Sequence, residues 1–234
     1  GTTFIDNSVF ENCTSLKSIT IPKSIKAMGN YVFSKCSSLE DVTISFGVKK
    51  VYCGSFSNCI NLKNVKLPDS IKEIEIYAFS DCSSLESIDI PKNVKIIGEV
   101  AFENCTSLKN INMSDNVEII GESCFKGCSS LRKINLPKNL YSIRSTAFLN
   151  CNSLESINIP KNVMYIYSCA FEGCHSLKEI NMYSNTIEVD KQAFLDCENL
   201  ERIIFHYDDC NFEFKFWFDF LNECSFTLCD SSKF

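Results

Sequence analysis

The sequence predicts a repeat solenoid, a right-handed coil of about nine stacked 23-residue units that contains parallel β-strands and short helical turns. Two observations predict this fold. The decapeptide FENCTSLKSI at residues 10–19 returns as FENCTSLKNI at residues 102–111, which is 92 residues, or four times 23, further along the chain. A Phe-x-x-Cys-x-x-Leu corner recurs at the same spacing nine times without an insertion or a deletion. A fixed period of this size is typical of stacked units, none of which can bury its apolar face alone.

The corner defines three columns of apolar residues that we expect to face the core. The phenylalanine column is Phe10, Phe33, Phe56, Phe79, Phe102, Phe125, Phe148, Phe171 and Phe194. The cysteine column is Cys13, Cys36, Cys59, Cys82, Cys105, Cys128, Cys151, Cys174 and Cys197. A leucine column follows three residues later, from Leu16 to Leu200. Because equivalent positions of successive coils stack on one another, each column is predicted to be a buried ladder.

A short β-strand is predicted after each corner. In the segment LKSITIP at residues 16–22, Leu16, Ile19 and Ile21 point inward, and Ser18 and Thr20 lie on the opposite face. Proline lacks the N–H that a β-ladder needs, so each strand is expected to end at the column that holds all the prolines of the chain. These are Pro22, Pro68, Pro91, Pro137 and Pro160.

The rest of each unit is predicted to turn back towards the next corner. A second apolar pair, such as Ile25 and Met28, is followed by a turn that often contains glycine, at Gly29, Gly98 and Gly121. The apolar spacing in YVFSKC, at residues 31–36, favours a short helical turn of α or 3₁₀ type just before the corner cysteine.

Composition and charge exclude several classes of function. A hydrophobic content of 45% and a charged content of 22% are ordinary, and the net charge of −6 argues against a nucleic acid or an anionic membrane as partner. No apolar run approaches the roughly 18 residues of a membrane span, so no direct membrane insertion is expected. The sequence contains no G-x-S-x-G, H-E-x-x-H or P-loop pattern, and its two histidines are His175 and His206. We therefore expect no enzyme, no catalytic residue and no cofactor.

The first unit is expected to form an open edge of the solenoid. Ile5 and Phe10 align with Met28 and Phe33 of the next unit, so the chain begins partway through a coil. An uncovered core and an unpaired strand edge promote association. We therefore expect that the parent protein extends upstream of Gly1, and that this edge can mediate self-association.

The nine aligned cysteines could form a structural ladder or a redox or metal site. A free thiol packs as a small hydrophobe, which favours a buried thiol ladder. Stacked parallel side chains have a poor geometry for disulfides, and an odd column of nine, in a chain of 15 cysteines, cannot pair completely. The buried ladder is the interpretation that we prefer.

Three polar columns are predicted to hold neighbouring coils in register. In the column after the leucine, charges largely alternate, so that opposite charges stack on neighbouring strands; this column is Lys17, Glu40, Lys63, Glu86, Lys109, Arg132, Glu155, Lys178 and Glu201. An outward column on the strands predicts either a ladder of stacked amides or a polar stripe that binds a ligand; it is Asn112, Asn135, Asn158 and Asn181. A loop column is expected to cap backbone groups; it is Asn93, Asn116, Asn139, Asn162 and Asn185.

A candidate partner-binding patch lies on the later coils. One register holds lysine or glutamate in the first five coils and then changes to Tyr, Met and Ile. Interface cores are enriched in aromatic residues and Met and depleted in Lys, so this change predicts a binding surface. With nearby tyrosines, the predicted patch is Tyr141, Met164, Tyr165, Tyr167, Tyr183 and Ile187. The competing hypothesis is that this flank is covered by the aromatic C-terminal segment.

The chain is predicted to divide into a solenoid at residues 1–205 and an aromatic-rich segment at residues 206–234, where the 23-residue register is lost. Solenoids require capping at their ends, so this segment is expected to cover the last coil. Two alternatives involve its polar residues: a zinc site, although the spacing matches no strong finger pattern, or a disulfide of Cys210 with one of the later cysteines in an exported protein. The residues concerned are His206, Cys210, Cys224 and Cys229.

The units resemble leucine-rich repeats. The pattern L-x-x-L-x-L-x-x-N fits Leu85, Ile88, Ile90 and Asn93. The segment LESINIPKNVMYIYSCAFEGC at residues 154–174 is similar to the BspA-type, or treponemal, leucine-rich repeat in particular. The resemblance covers about residues 2–205.

This resemblance implies a protein-interaction module related to cell-surface adhesins of anaerobic bacteria and protist parasites, which bind host matrix proteins or other cells. We therefore expect a protein or glycan ligand and a cell-surface or secreted location. The alternative is a cytoplasmic scaffold or a cytoskeleton-associated structural protein, which a ladder of free thiols favours. Sequons at Asn12, Asn104 and Asn112 offer a way to distinguish the two, because glycans on them would indicate export.

Overall fold

The computed structural model describes residues 1–184 and 187–207, together with the backbone of residues 225–230. Within these residues the chain is a parallel β-solenoid of about nine coils that contains no helix. The fold class predicted from the repeat is confirmed. In this part of the chain, no helix has the length and apolar character needed to cross a membrane.

Two short strands form in almost every coil. In chain order they are β1 (Phe4–Ile5), β2 (Ser18–Ile21), β3 (Ala27–Met28), β4 (Asp41–Ile44), β5 (Lys50–Val51), β6 (Asn64–Lys66), β7 (Glu73–Ile74), β8 (Ser87–Asp89), β9 (Ile96–Ile97), β10 (Asn110–Asn112), β11 (Ile119–Ile120), β12 (Ser142–Ile143), β13 (Ser156–Ile159), β14 (Tyr165–Ile166), β15 (Glu179–Met182), β16 (Glu188–Val189), β17 (Arg202–Tyr207) and β18 (Ser225–Asp230).

The strands form two faces of the solenoid. The first face contains the predicted strand of each unit and is built of the ladders β2-β4-β6, β8-β10 and β13-β15-β17-β18. The second face is built of β1-β3, β5-β7-β9-β11 and β12-β14-β16. All pairs are parallel and join residues 23 apart, as Ile19 pairs with Val42 and Ile97 with Ile120. The coil spacing predicted from the sequence is therefore the spacing of the hydrogen-bonded ladders.

The ladder of the first face is interrupted twice, between β6 and β8 and between β10 and β13, and at the second break one coil lacks a strand. Residues 131–137 form no strand, so β10 and β13 are not bridged by an intervening strand. At this step Lys109 and Arg132 occupy equivalent positions, and Lys133 adds a third positive charge. Like charges on neighbouring strands oppose their pairing, which accounts for a gap at this place.

The core is a set of stacked ladders. Successive rings of the phenylalanine column lie parallel, with centroids 5.1 to 5.6 Å apart, from Phe10 to Phe194. The inward residues of both strands and the corner leucines complete one continuous apolar cluster. The predicted inward columns are confirmed.

The cysteine column is a ladder of hydrogen bonds. From Cys36 onward, each corner thiol donates to the carbonyl oxygen of the phenylalanine 26 residues earlier, as Cys105 Sγ does to Phe79 O at 3.2 Å and Cys128 Sγ to Phe102 O at 3.2 Å. All twelve cysteines that the structure describes are free thiols. The column is therefore structural, as predicted, and it uses the S–H group as a donor as well as filling space.

The helical turn predicted from YVFSKC is wrong. Tyr31 and Lys35 have φ values of 55° and 60°, so the right-handed conformation that a helix needs is interrupted twice within one corner. The N–H of Phe33 bonds to Ser55 O of the next coil at 2.9 Å, while the N–H of Cys36 bonds back to Phe33 O at 3.3 Å. Apolar spacing alone could not reveal this alternation, because both conformations return the same side chains to the core.

Two of the predicted polar columns join neighbouring coils. In the charged column, Lys63 pairs with Glu40 and Lys109 with Glu86, each at 2.9 Å. In the loop column, each asparagine Nδ2 donates to a backbone carbonyl 24 residues earlier, at 2.7 to 2.9 Å; the four are Asn93, Asn116, Asn139 and Asn162. Asn185 lies outside the described residues. The capping role predicted for this column is confirmed for these four.

The first coil exposes apolar groups that later coils bury. Phe4, Val9 and Phe10 are exposed, and Leu16 is half-buried, whereas the equivalent Leu39 is fully buried. Self-association through this edge, and the extension of the parent protein upstream of Gly1, stay predictions.

At the other end, the repeat spacing continues further than predicted. Strand β18 pairs in parallel with β17 at an offset of 23 residues, with Arg202 opposite Ser225. The predicted loss of register after residue 205 is therefore wrong for this strand. The division at residue 205 and the capping role of residues 206–234 stay predictions.

Candidate functional site

Three residues of the predicted patch lie together on the second face. Tyr141 is 57% exposed and Tyr167 is 39% exposed. The Tyr165 ring lies between them, with its centroid 5.7 Å from that of Tyr141 and 6.0 Å from that of Tyr167. The guanidinium carbon of Arg144 lies 5.7 Å from the Tyr167 centroid, in cation–π contact. We call these four residues the tyrosine face.

Within the tyrosine face, the hydroxyl of Tyr165 is kept protonated by its neighbours. The neighbouring Tyr141 opposes the ionisation of Tyr165 and so raises the pKa of its hydroxyl, with Glu188 adding to the effect. The raised pKa keeps the Tyr165 hydroxyl protonated. The three rings combine hydroxyl groups with broad apolar surfaces, a combination that is enriched at protein interfaces.

One residue of the predicted patch does not lie on the surface. Ile187 is only 7% exposed and belongs to the core, so its prediction as an outward residue is wrong. The equivalent of the buried Leu140 and Val163 in this coil is Thr186, a polar residue. Ile187, the next residue, is apolar, and its burial in the core removes its side chain from solvent. Met164 is half-buried.

Tyr183 lies in a separate group on the first face, beyond β15. Its ring stacks on His206, with centroids 4.3 Å apart. His206 Nε2 is 2.8 Å from Asn181 Oδ1, and Asn181 Nδ2 donates to Glu179 Oε1 at 2.9 Å. Glu179 in turn pairs with Arg202 at 2.9 Å. Asn181 is therefore fixed within a local network rather than in a simple ladder of amides.

The other members of the outward asparagine column differ from one another. Asn112 Nδ2 donates to Asp89 Oδ1 of the preceding coil at 2.6 Å. Asn135 and Asn158 are exposed on the first face. The column thus includes one bond that joins coils, while its role as a ligand-binding stripe stays a prediction.

The structure describes only some of the four predicted zinc ligands. His206 is held by Asn181 and Tyr183, and Cys229 lies opposite it in the β17–β18 register. Cys210 and Cys224 lie outside the described residues. Among the residues that the structure describes, no group of three or more His, Cys, Asp or Glu side chains could hold a metal ion.

A groove beside the tyrosine face was not predicted from the sequence. It has a volume of about 550 Å³ and runs over β7, β9 and β11. Ile96 and Ile119 point outward into it, and Ile119 is 42% exposed. Glu99 and Glu122 line one side, and Arg144 joins the groove to the tyrosine face. We call this feature the second-face groove. The change from charged to apolar residues in one register of the second strand could have predicted this groove. That register is Lys50, Glu73, Ile96, Ile119, Ser142 and Tyr165.

Two glycines form part of this groove because they lie against the preceding coil. A Cβ on Gly98 would lie 2.7 Å from the backbone N of Ile76, and a Cβ on Gly121 would overlap the backbone N of Glu99. Neither position can hold a side chain unless the backbone of a neighbouring coil moves. Glycine at these positions lets successive coils approach and keeps the groove open.

The Gly121→Ala variant is therefore expected to be less stable by about 1–3 kcal/mol, the usual cost of overpacking against an unyielding neighbour. The measurement is the midpoint of urea unfolding followed by circular dichroism. Gly1→Ala is the matched control, because nothing lies within 4 Å of that position. Equal midpoints for the two variants would show that the backbone at Gly121 has more room than the structure gives it.

The sequence matches a model of the BspA-type leucine-rich repeat region in six copies, over residues 3–132 and 95–212. Among solved structures, the chain is similar to a leucine-rich repeat protein from Bacteroides ovatus, with 30% identity and a TM-score of 0.70 over 86% of this chain and 58% of that protein. This chain therefore spans less than two thirds of the Bacteroides protein.

Comparison with solved structures also found two further similar proteins at lower identity. A leucine-rich repeat protein from T. pallidum is 24% identical, with a TM-score of 0.62 over 84% of this chain and 82% of that one. A leucine-rich cell surface protein from Faecalibacterium prausnitzii is 27% identical, with a TM-score of 0.43 over 87% of this chain and 76% of that one. No curated protein matches the sequence.

Proposed function

This chain belongs to the BspA-type leucine-rich repeat family, and on that basis we propose that it is a non-enzymatic recognition module of a cell surface, which binds a protein partner through its second face. Leucine-rich repeat solenoids are typically interaction scaffolds, because stacked coils present a long and rigid surface. Fold alone does not identify a partner, so the proposal depends on a particular part of that surface.

The observation that carries the proposal is the continuous run of exposed apolar groups on the second face. Ile119 in the second-face groove and Tyr141 and Tyr167 in the tyrosine face are exposed, although no core requires them. Arg144 lines the groove and also contacts Tyr167, so the groove and the tyrosine face are one surface. Scattered exposed apolar residues are normal, whereas a contiguous patch marks an interaction site.

The charges around this surface indicate the chemistry of the partner. Glu99 and Glu122 are exposed in the groove, and neither forms an ion pair within the described residues. Glu73 and Glu75, at the far end, are already neutralised by Lys50 at 2.8 and 2.9 Å. The complementary partner is a segment that combines apolar side chains with lysine or arginine, because its cations would meet the free carboxylates.

The cell-surface location is supported by the resemblance to surface adhesins of this family. One observation favours the cytoplasmic scaffold instead: all twelve described cysteines are free thiols. Mass spectrometry of the protein from its native source separates the two. Asn12, Asn104 and Asn112 are exposed, so glycans on them would support export. Unmodified asparagines together with fully reduced cysteines would support the cytoplasmic alternative.

The binding proposal is tested with a double variant, Tyr141→Lys with Tyr167→Lys, assayed against a panel of immobilised extracellular-matrix proteins. We expect the parent protein to bind at least one of them and the variant to bind about thirtyfold more weakly, the effect of losing about 2 kcal/mol at an interface hot spot. Tyr183→Lys is the matched control, since Tyr183 is exposed on the other face.

If the double variant loses binding because it lacks interface contacts, its melting temperature should stay close to that of the parent. A large fall in stability would mean that the tyrosine face is covered by another part of the chain, as the competing hypothesis holds. Equal affinity of the parent and the double variant would exclude the tyrosine face as the binding surface.

A further inference from the structure

A second groove lies at the corners of the first five coils, away from both strand faces. Its volume is about 510 Å³. Ser34, Ser57 and Ser80 occupy equivalent positions in three successive coils and form its floor. Glu11 and Glu103 close its two ends. We call this feature the corner groove.

The walls of the corner groove are the positive-φ positions of the corners. Tyr31 and Tyr77, with φ values of 55° and 58°, form one wall, and both rings are 40% exposed. Lys35, Asn58 and Asp81, all with φ near 60°, form the other wall. Because each left-handed residue turns its side chain out of the coil, two such columns leave a trough between them.

The corner groove is open only in the coils where the residue at the floor position has a small side chain. The floor position holds serine in three successive coils, glutamate on either side of them (Glu11 and Glu103), and Lys126, Leu149, Glu172 and Leu195 in the later coils. Gly54 lies in the tyrosine wall between Tyr31 and Tyr77, and a Cβ there would overlap the Tyr31 ring. The absence of a side chain at Gly54 therefore lets the Tyr31 ring lie along the wall of the groove.

The polar groups of the groove are held in place by neighbours. Ser34 Oγ and Ser57 Oγ are 2.9 Å apart and almost fully buried, so one hydroxyl donates and the accepting one keeps its own O–H for a further partner. The two oxygens of Asp81 accept from Ser80 Oγ at 3.1 Å and from Asn104 Nδ2 at 3.0 Å.

The end carboxylates are also fixed. Lys35 pairs with Glu11 at 3.1 Å, and Lys126 pairs with Glu103 at 2.9 Å. A hydrogen bond with the Cys53 thiol raises the pKa of Tyr31, which keeps its hydroxyl protonated. The groove is thus a rigid array of hydroxyl, amide and carboxylate groups beside two aromatic rings.

This array fits one kind of ligand better than others. A peptide that adds as a β-strand needs free backbone groups, but the N–H groups of Phe33 and Lys35 are already bonded to the next coil. The carboxylate of Asp81 in the wall opposes an anionic ligand. A pyranose ring presents hydroxyls on its edge and C–H groups on its face, which match the serine floor and the tyrosine rings.

We propose that the corner groove binds a neutral oligosaccharide, with Tyr31 and Tyr77 packing against sugar faces and Ser57, Asn58 and Asp81 bonding to hydroxyls. Its volume lies within the range of ligand pockets and suits on the order of two to three hexose units. The corner groove shares no lining residue with the second-face groove, so this site is independent of the protein-binding surface proposed above.

The test is isothermal titration of the parent protein with four neutral trisaccharides, namely maltotriose, laminaritriose, mannotriose and chitotriose, and with a heparin octasaccharide as an anionic comparison. We expect at least one neutral trisaccharide to bind and the heparin fragment not to bind at this groove. Tyr77→Ala should weaken the binding at least tenfold, and Tyr77→Phe, which keeps the ring, should weaken it less.

A second variant fills the floor of the groove. Ser57→Leu is compatible with the fold because Leu149 occupies the equivalent position, and it should also abolish the binding. Tyr183→Ala, on the first face, is the control and should bind as the parent does. The proposal is overturned if no neutral trisaccharide binds, or if binding survives both Tyr77→Ala and Ser57→Leu. Binding to matrix proteins by the same variants tests the second face separately.

Discussion

Replacing Cys105 by Asp is expected to unfold the coils around it. Cys105 is fully buried in the continuous core, and its thiol donates to Phe79 O of the preceding coil. A carboxylate cannot donate there, and the next members of the column, Cys82 and Cys128, offer no positive charge. Burying such a charge costs several kcal/mol, which is comparable with the total stability of about 5–15 kcal/mol of a typical domain.

Hydrogen exchange and the melting temperature would measure this effect. Fast exchange should spread over the coils on both sides of Cys105, because a solenoid coil is stabilised only by its neighbours. Cys105→Ser is the control, since it keeps a donor of similar size and should remain folded. A melting temperature for Cys105→Asp within a degree or two of the parent value would contradict the inward position of this column.

A shift from pH 7.5 to pH 9.5 is expected to destabilise the protein strongly. Burial raises the pKa of the Cys59 thiol to about 12 and holds that of six other thiols well above the ordinary value; the six are Cys82, Cys105, Cys124, Cys128, Cys151 and Cys174. An unfolded cysteine has a pKa of about 8.5, so above that pH the unfolded chain releases protons that the folded chain retains. The stabilisation is fully present below about pH 8.5 and is lost as the pH rises towards the folded values.

The size of this effect follows from the number of thiols. At pH 9.5 each buried thiol should lose about 1.4 kcal/mol of its contribution to the free energy of unfolding, and the losses of independent sites add. Urea midpoints at pH 7.5, 8.5 and 9.5 under reducing conditions would measure the decline. A variant with Cys105→Ala and Cys128→Ala should show a shallower decline, because two titrating groups are removed. An unchanged midpoint in the parent would mean that these thiols ionise normally in the folded protein.

The sequence by itself determined the core of this protein, because every core contact repeats along the coil. Phe102 stacks on Phe79 and Phe125, each 23 residues away, so the period that aligns them in the sequence also brings them together in space. The same reasoning identified the thiol ladder and the asparagine caps, whose partners lie 26 and 24 residues away. The pattern of one coil was enough to predict the positions of these groups, because each coil stacks on the next with the same offset of 23 residues.

The tertiary structure alone decided the features in which neighbouring coils differ. Val100 differs in side chain from the equivalent Tyr31 and Tyr77 but adopts the same positive φ, here 58°, although a β-branched residue disfavours it. Its N–H bonds to Glu122 O of the next coil at 2.9 Å, a contact that the stacking of the coils provides. Ile187 lies in the core although its register predicted an outward position, and the second-face groove depends on glycines that lie against the preceding coil. The corner groove combines side chains of five coils, none of which forms a motif by itself. These sites depend on how the side chains of neighbouring coils are placed against one another. The sequence repeat predicts that coils stack, but it does not predict how side chains that differ from coil to coil pack together.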